Sequence, residues 1–544
     1  MTTYSKPSWI GWGVILLLLT YSGNALGAGK RDVGETPRAA MTIGAGLEQE
    51  HQWKDAVDHY KAATEKWPEE QALSYGLRRT KIQFAIERRY TDDSYRDDML
   101  RLSKHDALEL YDSILQRIRA NYVEDISTTS IVAHGTESLW LALSNTKFVD
   151  ANLYGADPKR ILEVKEVLHK NYWNKPIQYR EGARQVITEV CDLCEQRLGL
   201  KPSAVVLEYV FGTVNCLDDY TSVLTPDRFG DLQNSMKGEF VGIGIVMEAE
   251  AGKGMQLISV LPDSPASEAG LHGGDSIVAI DSIDCRNMTT DEAASMLAGV
   301  AGSELRLEIQ SGRTDVVRSV RCKRRRVEVK SVPVAKIIDT ELGIGYIQMT
   351  GFQETTSSEM LMALHQLQRQ GMKSLIWDVR GNPGGLLEES ARILDLFIAD
   401  GLLVSTAGRV DDQNKKYTAH PAGTFQVPLV LLIDGNSASA SEIVAGAVRD
   451  HQRGTIVGRK TYGKWSVQSI YPVRGSTGLR LTTAHFYSPL GQRYPKVGLK
   501  PDVEVEWPED DDFRRPLGDV DPVRDHDVRR ALEVLKSGRT FVSK

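Results

Sequence analysis

The sequence predicts a multidomain α/β protein in which a helical N-terminal region precedes a small strand-rich domain and a larger α/β core. Three observations support this fold class. The chain has 544 residues, more than the roughly 250–300 at which a single hydrophobic core stops growing. Helix-like apolar spacing extends to about residue 230, and short strands broken by glycines begin at Gly238. From about Val327 to Trp507, strand-like and helix-like runs alternate, which favours parallel strand pairing.

The composition is typical of a soluble globular protein. Hydrophobic residues make up 41% of the chain and charged residues 26%. The formal net charge of −7 offers no general attraction to phosphate backbones. One basic run, RCKRRR at 321–326, leads into the alternating segment VEVKSVPV, so a solvated strand edge or linker is favoured over a nucleic-acid patch. We therefore expect no nucleic-acid partner.

Residues 1–28 have the pattern of a secretory signal peptide. One lysine precedes the apolar run WIGWGVILLLL (Trp9–Leu19), and the small residues of NALGAG follow, so we expect cleavage near Gly27 or Ala28. The alternative is an uncleaved membrane anchor, but the apolar run is shorter than the roughly 20 residues that a spanning helix needs. The expected location is therefore exported, periplasmic or secreted, with attachment through the N-terminal segment as the alternative.

The five cysteines are few for an exported protein of this length; they are Cys191, Cys194, Cys216, Cys285 and Cys322. The CDLC motif lies within a helical pattern, and no second CxxC or histidine pair follows at the spacing of a zinc site. Structural packing is favoured, with a local disulfide as the alternative, and no metal is expected.

Residues 29–104 are predicted to be helical, with one hairpin like a tetratricopeptide repeat. The second helix of such a repeat has small and aromatic residues at fixed spacing, which WKDAVDHYKAATEKWP matches at Ala56, Tyr60, Ala63 and Pro68. Because one repeat cannot bury its own faces, the hairpin is expected to pack on its neighbours. Residues 105–235 continue as helices, including the amphipathic run Ala107–Asp125.

The strand-rich domain is expected at 236–313 and the α/β core at 314–510. In the first, the strand-like runs are GEFVGIGIVM, MQLISVL, DSIVAIDSI and ELRLEIQS, with helix-like SPASEAGL and TTDEAASMLAG among them. Residues 511–544 follow an acidic PEDDDF segment and are expected to be a tail with a short helix around VRRALEVLKS.

The segment GNSASASEIVAGAV (Gly435–Val448) places three serines before a helix-like run. Ser439 and Glu442 have the spacing of a capping box, which indicates only a helix start. The small neighbours Ala438 and Ala440 would also allow a sharp strand-to-helix turn that exposes a nucleophilic hydroxyl. The helix N-terminus would then favour a developing oxyanion through its N–H groups and dipole.

Four segments resemble the carboxyl-terminal processing peptidases, also called tail-specific proteases, and they occur along the chain in the order that the family has. The segment Leu261–Asp284 is similar to the core of a PDZ domain, DVRGNPGGLL (Asp378–Leu387) to the glycine-rich turn of the family, and GNSASASEIVAGAVRD…GRKTYGKWSVQ to its active-site region. The segment Leu217–Ile245 is similar to the one that leads into the PDZ domain. The resemblance spans about residues 105–507 and implies a PDZ domain at 236–313 and a crotonase-like α/β serine peptidase core at 314–510.

This resemblance implies that Ser439 is the nucleophile and Lys464, in TYGKW, is the base. A lysine acts as a base only when it is neutral. Bringing its pKa from about 10.4 to about 7 corresponds to roughly 4.6 kcal/mol, which burial in an apolar pocket can supply. The flanking residues that fit such a pocket carry no charge; they are Tyr462, Gly463, Trp465 and Val467.

The remaining roles follow from the same resemblance. Gln468 is expected to orient Lys464 by a hydrogen bond, and Asp450 to be a supporting or solvated residue at the end of the helix. The expected oxyanion hole consists of the backbone N–H of Ala440 and that of Gly384 or Gly385, because glycine permits close backbone approach. The serines on either side, Ser437 and Ser441, are expected to be structural.

One position departs from the family pattern, in which a small residue, often glycine, follows the lysine. Here that residue is Trp465. The indole could seal Lys464 from water and lower its pKa, or it could crowd the substrate channel.

The PDZ resemblance implies that the domain recognises exposed C-terminal tails, with the terminal carboxylate held by backbone N–H groups of a glycine-containing loop. The expected loop is EFVGIG, with the candidate binding residues Phe240, Val241, Gly242, Ile243 and Gly244. Packing in the domain core is the alternative role for Phe240 and Ile243. The helix in TTDEAASMLAG is expected to form the opposite wall of the groove.

The expected function is thus a serine endopeptidase with a Ser/Lys dyad and no cofactor, acting on protein substrates with exposed C-termini. A catalytically weak or inactive PDZ scaffold is the first alternative. A hydrolase with His451 or His485 as base is the second, and neither histidine lies in a motif of triad character. An acyl-CoA enzyme of crotonase type has only fold analogy behind it. An adaptor or lipoprotein partner and a homo-oligomeric state are left open.

Overall fold

The computed structural model describes residues 33–177, 180–250, 252–261, 263–288, 290–312, 316–508 and 520–538. The predicted signal peptide lies outside these ranges. Within them, no helix combines the length and the apolar character needed to cross a bilayer. The chain divides into two compact units. We call Ala28–Gly230 with Gln468–Thr483 the helical unit, and Asp231–Val467 with Ala484–Lys544 the mixed unit.

Packed helices make up most of the helical unit. They are α1 (Pro37–Gln49), α2 (Trp53–Lys66), α3 (Gln71–Tyr90), α4 (Lys104–Asn121), α5 (Thr128–Ala142), α6 (Thr146–Asn152), α7 (Pro158–Asn171), α8 (Arg180–Leu198) and α9 (Pro202–Thr213). Short π and 3₁₀ turns occupy Tyr95–Met99 and Val214–Cys216. The strand β1 (Ser222–Leu224) pairs antiparallel with residues 478–480 of the same unit.

The predicted hairpin is built around Tyr60 of α2. Its ring is fully buried, and a Cβ added at Gly44 of α1 or Gly76 of α3 would lie 2.3 or 2.6 Å from it. Small residues on both neighbouring helices therefore make the room that the ring fills. In α8, Cys191 and Cys194 are buried, separate thiols, so the alternative of a local disulfide does not hold. Burial raises the pKa of Cys191 to about 12.

In the mixed unit, a small antiparallel domain follows helix α10 (Pro226–Met236). Its elements are β2 (Glu239–Gly242), β3 (Ile245–Glu250), β4 (Gly254–Val260), α11 (Pro265–Glu268), β5 (Ser276–Ile280), β6 (Ile283–Asp284), α12 (Thr290–Leu297), β7 (Glu304–Gln310) and β8 (Val317–Lys323). The sheet order is β3-β4-β5-β7-β8, so β3 and β8 are the edge strands of this path. Strand β2 pairs instead with β9 (Arg325–Glu328).

The rest of the mixed unit is an α/β layer. Its elements are β10 (Val334–Asp339), β11 (Ile344–Gln348), α13 (Thr356–Arg369), β12 (Ser374–Asp378), α14 (Leu387–Asp395), β13 (Leu402–Gly408), β14 (Lys416–Thr418), β15 (Leu429–Ile433), α15 (Ala440–Asp450), β16 (Thr455–Gly458), β17 (Ser466–Pro472), β18 (Gly478–Tyr487), β19 (Val503–Glu504) and α16 (His526–Lys536), with a 3₁₀ turn at Asp411–Gln413. The chain passes between the two units within β17 and β18.

The main sheet has the order β10-β11-β12-β15-β16-β19, and the strands from β11 to β19 run parallel. This confirms the predicted fold class. Because successive side chains point to opposite faces of a sheet, one set of aligned residues packs towards α13, α14 and α15: Ile347, Trp377 and Leu431. The other set packs towards α16: Tyr346, Ile376 and Val430. Helices on both faces explain why these strands are continuous apolar runs.

The helix predicted within the 511–544 tail is α16. It is part of the core, because Val528, Ala531 and Val534 on one of its faces pack against the sheet. This is a difference from the expectation of a tail, and its cause is the amphipathic character of the helix.

Candidate active site

Three loops meet at one edge of the main sheet. They follow the neighbouring parallel strands β12, β15 and β16, which lie side by side. The carboxyl ends of parallel strands share one edge, where open α/β sheets bind their ligands. The loops contain the glycine-rich turn (379–386), the three serines (434–439) and Lys464 (459–465). The fold thus brings together segments that are distant in the sequence.

Ser439 occupies the sharpest point of the second loop. Its backbone has φ 55° and ψ −112°, a positive φ that residues other than glycine rarely adopt and that costs free energy. The small neighbours Ala438 and Ala440 flank it, and α15 begins at the next residue. The turn has the form of a nucleophile elbow, in which backbone strain exposes a serine above a sheet edge. Ser439 is 7% exposed.

The two other serines bind backbone carbonyls of the glycine-rich turn. Ser437 Oγ donates to the Val379 carbonyl at 2.8 Å, and Ser441 Oγ donates to the Asn382 carbonyl at 2.9 Å. Both are fully buried. They attach the serine loop to the glycine-rich turn on both sides of Ser439.

Asn382 shapes the glycine-rich turn. Its Nδ2 donates to the Met349 carbonyl at 2.9 Å, and its Oδ1 accepts from Gly384 N–H at 2.8 Å. Gly384 has φ 106°, and a Cβ at this position would lie 2.8 Å from Ala440 N and 2.9 Å from Ser439 Cβ. The absence of a side chain at Gly384 therefore lets the turn lie directly against the elbow.

The backbone donors near Ser439 differ in their availability. The Gly384 N–H is bound to Asn382. Among the hydrogen bonds between described residues, none uses the N–H of Ala440 or of Gly385. Both residues are buried. Of the expected oxyanion donors, Ala440 and Gly385 are thus the two whose N–H groups no other described residue accepts.

The carboxylate of Glu442 connects the elbow to the loop that carries Lys464. It is fully buried and accepts five hydrogen bonds. The donors are Ser439 N (2.9 Å), Thr461 Oγ1 (2.7 Å), Gly463 N (2.8 Å), Lys464 N (2.8 Å) and Trp465 Nε1 (3.2 Å). Burial raises the pKa of Glu442, and the hydrogen bonds act against that rise. Since all five partners are donors, an ionised carboxylate matches them.

Lys464 is half-buried, and its backbone is fixed by two neighbouring contacts. Its own N–H donates to Oε2 of Glu442, and Tyr462 N–H donates to the Ser437 carbonyl at 3.1 Å. The lysine loop is therefore held both to the serine loop, at Ser437, and to the first turn of α15, at Glu442.

Trp465 lies in the hydrophobic core. It is 2% exposed, and its ring centroid is 4.8 Å from that of Phe486 and 5.2 Å from that of Tyr494. Its Nε1 donates to Glu442. The residue that departs from the family pattern is thus packed beneath the loop and supports Glu442.

Asp450 and His451 lie at the far end of α15. The Asp450 carboxylate accepts from Leu490 N–H at 3.0 Å and is largely buried, so it is not a solvated helix end. His451 Nε2 is bound to the Leu402 carbonyl at 2.7 Å. A helix rises 1.5 Å per residue, so His451 lies about 18 Å from Ser439 along the axis. That distance excludes His451 as the base. The other histidine considered, His485, lies in β18, where it pairs with Ala407 of β13.

Gln468 belongs to the helical unit, where it is buried. Its Nε2 donates to Thr482 Oγ1 at 3.3 Å. The structure therefore gives this predicted site residue a defined partner that the sequence did not indicate.

A buried ion cluster forms around Arg380, at the start of the glycine-rich turn, and is absent from the sequence predictions. The Arg380 guanidinium donates to three carboxylates: Asp378, Asp525 and Asp527. Asp527 also accepts from Arg459 at 2.8 and 2.9 Å. Through these contacts the start of α16 is bound to the first residues of the glycine-rich turn. The one local signal was the DVR triplet that opens the turn.

The predicted peptide-binding loop joins β2 to β3. The carbonyls of Ile243 and Gly244 accept from Ala266 and Leu261, both at 2.9 Å. In the described part of the chain, no hydrogen bond uses the N–H of Ile243 or Gly244. Ile243 is in the domain core at 2% exposure.

The other predicted loop residues lie in β2, which pairs with β9; they are Phe240, Val241 and Gly242. The edge strand β3 lies beside α12, since Ala249 N–H donates to Thr290 Oγ1 at 3.1 Å. An edge strand beside a helix is the arrangement in which PDZ domains add a peptide strand.

Comparisons with known proteins agree with these features. A model of peptidase family S41 matches residues 343–505, and a model of the PDZ domain matches residues 231–310. The chain is 34% identical over 330 residues to a carboxyl-terminal-processing protease of Synechocystis sp., covering 60% of this chain and 76% of the relative. It is 36% identical over 302 residues to the carboxy-terminal-processing protease of Bartonella bacilliformis, covering 55% and 68%.

Solved structures include similar chains. A putative S41 protease from Bacteroides fragilis is 18% identical and covers 60% of this chain and 87% of its own, with a TM-score of 0.43. The resemblance inferred from the four sequence blocks is confirmed by the family matches and the curated relatives.

Proposed function

Because the chain belongs to the carboxyl-terminal-processing proteases of peptidase family S41, we propose that it recognises exposed C-terminal tails through its PDZ domain and cleaves protein substrates with a dyad of Ser439 and Lys464. The family makes it a serine-type peptidase. The dyad and the recognition of tails are our proposals.

In the proposed reaction, Ser439 Oγ attacks the carbonyl carbon of the scissile peptide bond. Its proton passes to the neutral Nζ of Lys464. The lysine then protonates the leaving amine as the C–N bond breaks, which leaves an ester on Ser439. Water attacks the carbonyl carbon of this ester and gives a proton to Lys464. As the C–Oγ bond breaks, Lys464 returns the proton to Ser439 Oγ, which releases the acid product and restores the serine hydroxyl and the neutral lysine.

The oxyanion of each tetrahedral intermediate would be bound by Ala440 N–H and Gly385 N–H. Both are buried backbone donors that no described residue uses. Such donors stabilise developing charge without reorganisation, and the loss of one typically costs about 100- to 1,000-fold in rate. The N-terminal end of α15 adds a favourable dipole.

The single observation that carries this proposal is the position of Glu442. One of its oxygens accepts the backbone N–H of both Ser439 and Lys464, at 2.9 and 2.8 Å. The proposed nucleophile and base are thus held by a common buried group. We infer that Gln468, four residues after Lys464, completes the arrangement by a hydrogen bond to the lysine side chain.

Tail recognition is proposed for the loop at Ile243 and Gly244. Their N–H groups are suited to bind the terminal carboxylate of a peptide. The residues that precede that carboxylate would pair with the edge of β3, beside α12. We also propose export, as the N-terminal pattern predicts; the mass of the mature chain would test it, with a new N-terminus near Ala28 as the expected result.

The test is degradation of an unstructured protein with an apolar C-terminal tail by the mature chain, Ser439→Ala and Lys464→Ala. All three are first shown to be folded by circular dichroism. Cleavage by the parent alone supports the dyad. Three folded but silent proteins would favour the scaffold alternative, and cleavage by the variants at the parent rate would show that other residues act.

A further inference from the structure

The basic run RCKRRR (321–326) has two different environments. Arg321 and Lys323, near its start, are exposed on the edge strand β8. Arg324 lies between β8 and β9 and is buried, with 8% of its surface exposed. Arg325, the first residue of β9, is partly buried. The expectation of a solvated strand edge therefore describes the start of the run, and the two arginines that follow make specific contacts within the domain.

The guanidinium of Arg324 binds the C-terminal end of α12. Its Nη2 donates to the Met296 carbonyl at 2.8 Å, and its Nε donates to the Leu297 carbonyl at 2.9 Å. The last carbonyls of a helix have no partner within the helix, and a cation at this end also interacts favourably with the helix dipole. Gly299 leaves room for the contact, since a Cβ there would lie 3.0 Å from Arg324 Nε.

These contacts fix α12 at one end, and β3 fixes it at the other. The Arg324 side chain is itself held, because its Nη1 donates to Ser303 Oγ at 3.0 Å and its backbone N–H donates to the Ser303 carbonyl at 2.8 Å. At the start of α12, Thr290 Oγ1 accepts from the Ala249 N–H of β3. The helix that forms one wall of the proposed groove is thus attached at both ends.

Arg325 binds the segment that supports the proposed carboxylate loop. Its guanidinium donates to the Asp263 carbonyl and to the Glu268 carboxylate, the latter at 3.0 Å. Two N–H groups of the same segment donate to the carbonyls of the Ile243–Gly244 loop. In the pairing of β2 with β9, Arg325 also lies opposite Gly242, the residue that precedes the loop. Arg325 therefore holds the loop from its main chain and from its side chain.

We propose that Arg324 and Arg325 are positioning residues of tail recognition, which set the separation between the Ile243–Gly244 loop and α12. This rests on the proposed function, in which that loop binds the terminal carboxylate of a substrate. The two arginines are adjacent in the chain, yet one holds the helix and the other holds the support of the loop. The hydrogen bonds of Arg324 to described residues all go to carbonyl and hydroxyl oxygens. Its role is therefore to fix the geometry of the groove.

The experiment measures the binding of a fluorescent peptide with an apolar tail, as the free acid and as the C-terminal amide. The protein is the full mature chain carrying Ser439→Ala, so that the peptide is not cleaved. Adding Arg324→Met keeps an unbranched side chain and removes the donors. We expect the Kd of the acid to rise by about tenfold or more, the equivalent of one buried charge-assisted hydrogen bond. The Kd of the amide should change by less than about twofold.

Two further variants separate geometry from charge. Arg324→Lys keeps the charge but presents one nitrogen in place of the planar fork, so it should recover binding only in part. Arg321→Met removes an exposed charge from the same run and should leave both Kd values unchanged. Full recovery by Arg324→Lys, or an equal loss in Arg321→Met, would show general attraction between charges and would overturn the inference.

Arg325→Met keeps the proposal testable if Arg324→Met fails to fold, which urea unfolding would reveal. The Arg325 side chain is 43% exposed, so we expect a smaller rise in the Kd of the acid, about threefold. Parent-like binding by the folded arginine variants, beside a clear preference for acid over amide, would overturn this inference and leave tail recognition intact. Equal binding of acid and amide by the Ser439→Ala chain itself would overturn tail recognition and this inference together.

Discussion

The backbone N–H groups of Ser439 and Lys464 donate to the same carboxylate oxygen, Oε2 of Glu442. The residues are 25 apart in the sequence, in loops that follow neighbouring parallel strands. A single buried group thus sets the separation of the proposed nucleophile from the proposed base. Preorganisation of this kind contributes to the rate because the reacting groups need not be brought together during the reaction.

Glu442→Gln should remove much of this preorganisation. An amide has one acceptor oxygen and an NH₂ group, so it would direct a donor at some of the five donors that now face Glu442. We expect a loss of stability on the order of 3 kcal/mol and a fall in kcat of about 100-fold or more. Denaturant unfolding and peptide cleavage measure the two effects.

Glu341→Gln, at an exposed position between β10 and β11, is the matched control and should behave as the parent. Parent-like activity of Glu442→Gln would show that Glu442 is only a helix cap.

The close approach of Gly384 to the elbow predicts a second effect. In Gly384→Ala the new Cβ would meet Ala440 N and Ser439 Cβ at 2.8 and 2.9 Å, which would displace an oxyanion donor. We expect kcat to fall by about 100-fold or more.

Gly371→Ala is the control, because Gly371 has a similar positive φ of 88° and no atom within 4 Å of its added Cβ. Gly371→Ala should lose about 1 kcal/mol of stability from backbone strain. Gly384→Ala should lose more, because its Cβ also meets the elbow, and only Gly384→Ala should lose activity. Equal activity in the two variants would argue against the proposed oxyanion hole.

Trp465 should matter more for stability than for the chemical step. Trp465→Phe keeps a ring against Phe486 and loses only the N–H donor to Glu442, so we expect a loss of about 1–2 kcal/mol of stability and a modest change in kcat. Trp465→Gly would leave a cavity and should lose about 3–5 kcal/mol. Thermal unfolding and the pH profile of kcat distinguish these effects. A shift of the acid limb in Trp465→Phe would instead show that the indole directly shields Lys464.

The parallel sheet and the place of the site at its edge could be predicted from the sequence. The strands β11, β12, β15 and β16 are buried on both faces, so their apolar runs are easy to recognise, and the motif loops follow them directly. The resemblance to a peptidase family then supplied the residues to look for. Both signals depend on residues that are close together in the sequence, so they can be recognised without a structure.

The contacts that were missed join residues far apart in the chain. Glu442 has the signature of a helix cap, and its donors arrive from a loop about 20 residues later. Asp527, the partner of Arg380 in α16, lies 147 residues from it. Gln468 binds Thr482 and, through it, Asp218, which is 264 residues from Thr482. The periodicity of a sequence does not indicate which distant polar side chains will form hydrogen bonds or ion pairs in the folded protein.

The cluster around Arg380 predicts a loss of stability in acid. Burial alone would raise the pKa of Asp527, but Arg380 and Arg459 outweigh this, and the pKa is lowered. Because the folded pKa lies below that of the unfolded chain, the stabilisation is present above about pH 4 and is lost as the pH falls through the folded value. Urea unfolding measured at several pH values between neutrality and about pH 3 tests this.

Asp527→Asn should cost about 3–5 kcal/mol near neutral pH, because it removes the buried carboxylate that Arg380 and Arg459 share, although Arg380 keeps Asp378 and Asp525. The stability of Asp527→Asn should also fall less steeply than that of the parent as the pH is lowered. Asp412→Asn, at an exposed position, is the control and should retain that dependence. An unchanged acid dependence in Asp527→Asn would mean that other carboxylates cause the loss.

Capture of a terminal carboxylate by the Ile243–Gly244 loop predicts a preference for free acids. An unstructured substrate with an amidated C-terminus lacks the charge that these N–H groups would bind, so it should be cleaved with a higher KM. Its kcat should be nearly unchanged, because the scissile bond and the proposed dyad are the same. The matched control is the same substrate blocked only at its N-terminus, which should behave as the unblocked one. Equal KM values for acid and amide would count against carboxylate capture and would leave the peptidase assignment untouched.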